Sequence, residues 1–164
     1  MSNKRRSFEK GHKRKYLVVI DDSEECGRAV HWAAQRAGRT KSVVMMLRVI
    51  DTGDQGAQWL GVADIMRVEA MEAAKATLHK AADQAKKTAQ VKVDMVIREG
   101  AVTEEIVSLI EEDADIGILV LAASTGKEGP GPLVTHLAKN AGNFPIPVAV
   151  VPGHLTDEEI DASS

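Results

Sequence analysis

The feature that most constrains the fold is an apolar run that ends abruptly in a loop of small and hydroxyl residues. Residues 118–121 read Ile-Leu-Val-Leu, and residues 122–132 continue as Ala-Ala-Ser-Thr-Gly-Lys-Glu-Gly-Pro-Gly-Pro. A buried strand that leads through such a loop into an amphipathic segment is typical of parallel α/β proteins, which bring backbone N–H groups to a ligand in this way. The loop is therefore the first candidate for a binding site.

Strand-like and helix-like segments alternate along the chain. Apolar runs predict five strands, at residues 16–20, 43–50, 91–97, 116–121 and 148–151. Helices are predicted between them, with Ser23 and Thr103 as caps of the first and third helices. Gly38 is the expected end of the first helix, and residues 133–141 form the fourth. Regular alternation with short connections predicts right-handed crossovers and a five-stranded doubly wound parallel sheet with helices on both faces.

The longest predicted helix follows an irregular stretch that contains Gly53, Gly56 and Gly61. Apolar residues recur in this helix at spacings of three and four, which marks one helix face that we expect to be buried. The residues of this face are Ile65, Val68, Met71, Ala74, Leu78, Ala81 and Ala85.

Length and composition fit a single domain. A chain of 164 residues can remove roughly 70% of its unfolded surface from water, and 44% hydrophobic with only 3% aromatic residues implies an aliphatic core. The single cysteine excludes an internal disulfide, and no apolar run reaches the roughly 18 residues that a membrane span needs. We therefore expect a soluble, cytoplasmic protein.

Charge is distributed unevenly along the chain. Residues 1–15 carry seven basic side chains and one acid, whereas residues 16–164 carry a net charge of −9. An acidic body does not suit a nucleic-acid footprint. The basic segment could touch nucleic acid or membrane, but a solvated, disordered leader over residues 1–14 is favoured, and neither partner is expected. The domain then spans residues 15–153, and residues 154–164 form an acidic tail of the same kind.

Sheets of this class bind ligands beyond the carboxyl ends of their strands, where the winding reverses. For five strands this favours the loops after the first and fourth strands, and we expect the two loops to form one site. The first loop contributes Asp21, Asp22 and Ser23, and the other contributes Ala122, Ala123, Ser124, Thr125, Gly126, Lys127 and Gly129.

The adjacent acids Asp21 and Asp22 have several interpretations. A two-component receiver domain would need a phosphoryl-accepting aspartate at the end of the third strand, where Arg98-Glu99 stands. A haloacid-dehalogenase-type phosphatase would need Asp-x-Asp, but Ser23 takes the second position. Ligand contact and a purely local role in shaping the turn and the helix start remain as alternatives.

Several segments together carry a family resemblance. They are Tyr-Leu-Val-Val-Ile-Asp-Asp-Ser-Glu at 16–24, Leu-Arg-Val-Ile-Asp at 47–51, Gly100 with Glu-Glu-Ile-Val at 104–107, and Ile-Pro-Val-Ala-Val-Val-Pro at 146–152. Over about residues 15–152 the chain resembles a universal stress protein of the UspA superfamily. The resemblance implies a 3-2-1-4-5 parallel sheet, a cytoplasmic homodimer and, in many members, bound ATP or AMP. It also implies that Val49 lines an adenine-sized slot beside Asp21.

The ATP-binding branch of that family carries the pattern Gly-x2-Gly-x9-Gly-Ser/Thr, whose glycines let backbone amides reach phosphates. With Gly126 as the second glycine, Ala123 takes the first position and His136 takes the third. A register counted back from Pro147 places Thr135 in the final pair, after a two-residue deletion. Every register lacks a glycine, so the motif is degraded. A phosphate nest rebuilt by the other loop glycines remains an alternative.

Three functional hypotheses follow from these features. The first is a dimeric stress-response protein that senses or binds ATP or AMP, with Mg²⁺, without hydrolysing it. The second is a dimeric interaction or regulatory module with no small ligand. The third is at most a slow ATPase, because no base or nucleophile is evident and only Asp21 and Asp22 are available to hold Mg²⁺.

The homodimer is expected to form through the last strand. Residues 148–151 are a short, wholly apolar run flanked by Pro145 and Pro147, at the expected edge of the sheet. Unpaired N–H and C=O groups on such an edge favour a partner strand.

Overall fold

The protein is built on a five-stranded parallel sheet with helices on both faces. A computed structural model describes residues 4–52, 61 and 64–164. The strand order is 3-2-1-4-5, which confirms the predicted topology. In chain order the elements are β1 (Lys15–Val19), α1 (Cys26–Thr40), β2 (Val43–Asp51), α2 (Asp64–Thr88), β3 (Lys92–Gly100), α3 (Val102–Glu112), β4 (Ile116–Ala123), α4 (Pro132–Lys139), a 3-10 turn (Ala141–Asn143), β5 (Val148–Pro152) and α5 (Asp157–Ser163).

The central strand β1 divides the core into two layers. Tyr16 and Val18 pack on one face with buried residues of α1, α2 and α5. Leu17 and Val19 pack on the opposite face with residues of α3 and α4. Successive side chains of a strand point to opposite faces of the sheet, and both faces of β1 are covered by helices. The sequence of β1 is therefore apolar at almost every position.

The start of α1 differs from the sequence expectation. Ser23 does not cap the helix, because its N–H and its hydroxyl both donate to Oδ1 of Asp21. The helix begins at Cys26 and passes Gly38 to end at Thr40, where Lys41 adopts a left-handed conformation (φ 53°) and its N–H donates to the carbonyl of Ala37. In the same way Thr103 lies inside α3 rather than at its cap, which is Ala101.

The apolar face predicted for α2 is buried only in its second half. Ala74 and Leu78 are each 2% exposed, but Ile65 and Val68 are 68% and 58% exposed. Arg67 Nη2 in the first turn of α2 lies 3.5 Å from Glu99 Oε2 near the end of β3. The first turns of the helix therefore stay close to the sheet while their apolar side chains are exposed to solvent. No helix in the described part of the chain is long and apolar enough to cross a membrane.

The irregular stretch predicted before α2, with its glycines, lies mostly outside the described residues.

The basic segment at residues 4–14 contacts the domain, which differs from the expectation of a disordered leader. Nη1 of Arg5 donates to the carbonyls of Ile110 (2.7 Å) and Asp113 (3.1 Å) at the end of α3. His12 Nδ1 lies 2.9 Å from Asp115 Oδ1. Carbonyls at a helix C-terminus lack intrahelical donors and favour cations. The guanidinium of Arg5 therefore binds the C-terminus of α3 and holds this segment against the domain.

The acidic C-terminal segment forms α5, which differs from the expected solvated tail. Thr156 and Glu159 make a reciprocal capping box at its start, and Ile160 is fully buried against α1 and its neighbours. Asp161 Oδ1 accepts from Gln35 Nε2 (2.6 Å) and lies 2.7 Å from His31 Nε2. One apolar side chain and one polar cluster thus hold this short helix on α1.

Candidate functional site

The loops that follow β1 and β4 meet at the carboxyl edge of the sheet. The two strands are parallel neighbours, with Val18 paired to Val120, so their ends lie side by side. A cavity of about 260 Å³ separates the loops, and we call it the central cavity. Its walls are Val19, Asp21, Ser23, Glu25, Cys26 and Ala29 on one side and residues 121–122 and 130–134 on the other.

A second cavity of about 410 Å³, the β2 cavity, opens toward β2. Asp21 lines both cavities, and Val49, which is 9% exposed, forms part of the wall of the β2 cavity. The other residues of this wall are Val19, Ile20, Arg48, Asp51, Val102, Thr103, Pro132, Leu133 and His136. The structure therefore brings Asp21 and Val49, separated by 28 positions in the sequence, to one cavity.

Asp21 and Asp22 have different surroundings. Oδ1 of Asp21 accepts from the N–H of Ser23 at 2.9 Å and from its hydroxyl at 2.5 Å, which is an Asx turn. Asp22 Oδ2 lies 2.9 Å from Arg48 Nη2, while Arg48 Nη1 donates to the carbonyl of Ile20. Asp22 therefore joins the loop to β2 and lines neither the central nor the β2 cavity.

The loop between β4 and α4 satisfies several of its own backbone amides. The N–H of Ser124 donates to the carbonyl of Pro130, that of Gly126 to the hydroxyl of Ser124, and that of Gly129 to the carbonyl of Gly126. Gly129 and Gly131 have φ values of 101° and 105°, a region that glycine adopts without strain. The loop is thus held by its own bonds, and these three amides are not directed at a ligand.

A third cavity of about 630 Å³, the outer cavity, lies against this loop. Ser124, Gly129 and Thr135 are on its wall, together with the cationic or titratable side chains of His136 and Lys139. Glu25 and Glu128 also line it. The hydroxyls and cations of the outer cavity would attract an anion, whereas its two carboxylates would repel one.

Of the remaining predicted site residues, only one lines a cavity described above. Ala122 lines the central cavity. Ala123 is a packing residue, because its carbonyl accepts from the N–H of Gly153 and lies only 2.5 Å from where a Cβ on Gly153 would stand. Thr125, Gly126 and Lys127 are exposed at the loop tip and line none of the three cavities.

Cys26 lies in the wall of the central cavity with its Sγ 3.7 Å from the carbonyl of Val19. Burial raises the pKa of its thiol to about 11. The side chain is thus a neutral thiol at physiological pH and contributes shape rather than charge to the cavity.

A family model described as the Universal stress protein family matches residues 13–152 of the chain. The chain belongs to the universal stress protein family. Among curated protein sequences none matches it.

Solved universal stress proteins share this fold. One in complex with cAMP is 19% identical, with a TM-score of 0.60 over 85% of this chain and 97% of that one. UspA from Lactobacillus plantarum is 19% identical, with a TM-score of 0.60 over 84% and 97% of the two chains. The Archaeoglobus fulgidus protein in complex with dAMP is 18% identical, with a TM-score of 0.61 over 84% and 97%.

Some wall residues of this universal stress protein were not predicted from sequence. Pro132, Leu133 and His136 each line at least two of the three cavities. All three lie within the first five residues of α4, directly at the end of the candidate loop, and this position was the available signal. The first turn of α4 thus lines the site, which the prediction of a plain helix over residues 133–141 did not include.

Proposed function

We propose that this universal stress protein is a cytoplasmic, non-hydrolytic binder of an adenine nucleotide of the AMP class. The observation that carries the proposal is the β2 cavity, which is lined by both the carboxylate of Asp21 and the apolar side chain of Val49. An apolar wall suits the face of a nucleobase, and a carboxylate accepts a strong hydrogen bond from a nucleoside. The volume of about 410 Å³ lies within the roughly 300–1,000 Å³ typical of small-molecule sites.

The relatives support the class of ligand. Solved universal stress proteins of the same fold hold cAMP and dAMP, both of which present an adenine base and a single phosphate. In this chain we assign the base and ribose to the β2 cavity and the phosphate to the adjoining loop.

The outer cavity, beside the loop between β4 and α4, suits a monophosphate better than a triphosphate. Ser124 and Thr135 would hold a phosphate through their hydroxyls, with Lys139 as a nearby cation. Glu25 and Glu128 line the same cavity and repel each additional phosphate charge. Three loop amides already donate inside the loop, and its prolines lack an N–H. We therefore expect ATP with Mg²⁺ to bind with a micromolar or poorer dissociation constant, or not at all.

The dimer is proposed to form through β5. In the described part of the chain β5 pairs with β4 on one side only. Val150 at the middle of this edge strand is 44% exposed. Pairing with the β5 of a second copy would satisfy the backbone groups of the edge and cover Val150.

The nucleotide content of the natively purified protein tests the proposal. Absorbance at 260 nm after denaturation, followed by chromatography of the released material, should reveal an adenine monophosphate. Added AMP should also raise the melting temperature of nucleotide-free protein by mass action. Protein that carries no nucleotide and is not stabilised by AMP would instead support the dimeric interaction module without a small ligand.

A further inference from the structure

Basic side chains collect at the edge of the sheet opposite the candidate site. Three neighbouring strands start there in register, because Lys15 pairs with Val43 and Val43 pairs with Lys92. Lys41 lies two residues before β2 and is exposed, as is Lys92. Residues 4–14 lie along the same edge, bonded to the loop that precedes β4.

We call this surface the amino-edge patch. It comprises residues 4–15, Lys41, Lys92 and the three carboxylates that these residues contact, Asp94, Asp113 and Asp115. Nine Lys or Arg side chains and four acids give it a formal net charge of +5, whereas the rest of the chain carries −8. The molecule is therefore strongly bipolar, with its cationic end away from the proposed nucleotide.

Three of the four acids of the patch, Asp94, Asp113 and Asp115, have basic partners within it, and the fourth, Glu9, is exposed. Lys15 Nζ lies 2.6 Å from Asp113 Oδ2, and His12 Nδ1 lies 2.9 Å from Asp115 Oδ1. The exposed basic side chains of the patch are Lys4, Arg6, Lys10, Lys13, Arg14, Lys41 and Lys92. The charge that faces solvent is thus positive.

A single aromatic side chain projects from the patch. Phe8 is 77% exposed, the highest value among the exposed large hydrophobic residues of the described chain. It lies on a bonded turn, in which the N–H of Glu9 donates to the carbonyl of Arg6 and the N–H of His12 to the carbonyl of Glu9. The turn is anchored to the domain, so Phe8 is held outward among cations.

We propose that the amino-edge patch docks on an anionic lipid surface, with Phe8 inserted among the headgroups and the exposed lysines against lipid phosphates. Basic side chains near an anionic leaflet gain free energy within a Debye length, and an inserted aromatic side chain adds apolar burial. A single-stranded nucleic-acid platform would need successive aromatic side chains for base stacking, and the described residues of the patch supply one. Contacts with duplex phosphates need only cations and leave the exposed Phe8 without a role. This revises the expectation of no membrane partner, since that expectation assumed a disordered leader.

Vesicle co-sedimentation of the full chain tests the proposal. At low salt the protein should bind phosphatidylcholine vesicles that contain about 30% phosphatidylglycerol, should not bind pure phosphatidylcholine vesicles, and should be released at about 0.5 M salt. Lys10→Gln with Lys13→Gln should weaken binding about 25-fold, at about fivefold per charge. Phe8→Ala should weaken it about tenfold without changing net charge.

The matched control removes two charges away from the patch. Lys75→Gln with Lys80→Gln alters exposed positions on α2 and should leave vesicle binding unchanged. Equal losses in the control and patch variants, an unaffected Phe8→Ala variant, or equal binding to neutral vesicles would overturn the proposal. Tighter binding to single-stranded or duplex DNA than to anionic vesicles at the same salt would also overturn it, in favour of a nucleic-acid surface.

Discussion

Asp21 and Asp22 are adjacent in sequence, yet Asp22 lies 2.9 Å from Arg48 while Asp21 lines the two cavities beside it. Replacement by alanine should therefore weaken ligand binding at Asp21 and leave it nearly unchanged at Asp22. Asp21→Ala should weaken AMP binding at least several-fold, because a charged hydrogen bond to the nucleoside is lost. Asp22→Ala should leave AMP affinity within about twofold and cost at most about 1 kcal/mol of stability, as is usual for an exposed ion pair.

Calorimetric titration of both variants with AMP measures the difference. Circular dichroism confirms that each variant is folded. Equal affinities in wild type and a folded Asp21→Ala variant would exclude the role assigned to Asp21.

Gly131, one of the two loop glycines with positive φ, offers a test of loop rigidity. Gly131 has a φ of 105° and open space where a Cβ would stand, so Gly131→Ala is strained without any clash. We expect a loss of roughly 1–2 kcal/mol, and hence a melting temperature lower by roughly 2–8 °C. Gly142 has equally open space without a positive φ, and Gly142→Ala should change the melting temperature by less than about 2 °C. Similar shifts in the two variants would mean that the loop does not hold Gly131 in this conformation.

The polar cluster between α1 and α5 predicts an acid-sensitive stability. Hydrogen bonds from Gln35 and His31, and the charge of Arg39, lower the pKa of Asp161. A depressed pKa means that ionised Asp161 stabilises the fold above its unfolded-state pKa, near 4, and that this stability is lost as the pH falls through the lower folded value.

Urea unfolding at pH 7 and at several values below about 4.5 tests this acid sensitivity. The difference in unfolding free energy between wild type and Asp161→Asn should be largest at pH 7 and shrink on acidification. Glu158→Gln, a matched change at an exposed position of the same helix, should preserve the wild-type profile. A pH-independent gap between wild type and Asp161→Asn would contradict the assignment.

The two edge strands permit a controlled test of the dimer. Val150 on β5 and Met95 on β3 are 44% and 43% exposed. Val150→Glu should reduce the mass found by light scattering from twice 17.6 kDa to that of the monomer, because a charge would be buried in the new strand pair. Met95→Glu should leave the dimer intact. Dissociation by Met95→Glu alone would place the interface on the opposite edge.

The parallel sheet could be predicted because strand-like and helix-like segments alternate regularly along the chain. The order 3-2-1-4-5 was implied by the family resemblance and is confirmed by the structure. The site was harder to predict, because Asp21, Val49 and His136 come from three separate parts of the chain and meet only through the sheet topology. The loop residues Thr125 to Lys127 were chosen for their chemistry, yet the internal bonds of Ser124 and Gly126 leave them at the exposed tip.

The terminal segments show a different limit of sequence reasoning. Helix α5 has one buried apolar residue, Ile160, so periodicity gave no signal. The capping box of Thr156 and Glu159 was readable as Thr-x-x-Glu and would have predicted a helix start. The contacts of Arg5 are with residues more than 100 positions away, and no local pattern indicates such partners.

Calorimetry with AMP and with ATP plus Mg²⁺, on the same nucleotide-free protein, tests the central claim most directly. The internally bonded loop and the carboxylates of Glu25 and Glu128 predict that AMP binds measurably, while ATP binds with a micromolar or poorer dissociation constant or not at all. Sub-micromolar binding of ATP, or the absence of AMP binding to the folded protein, would contradict the account.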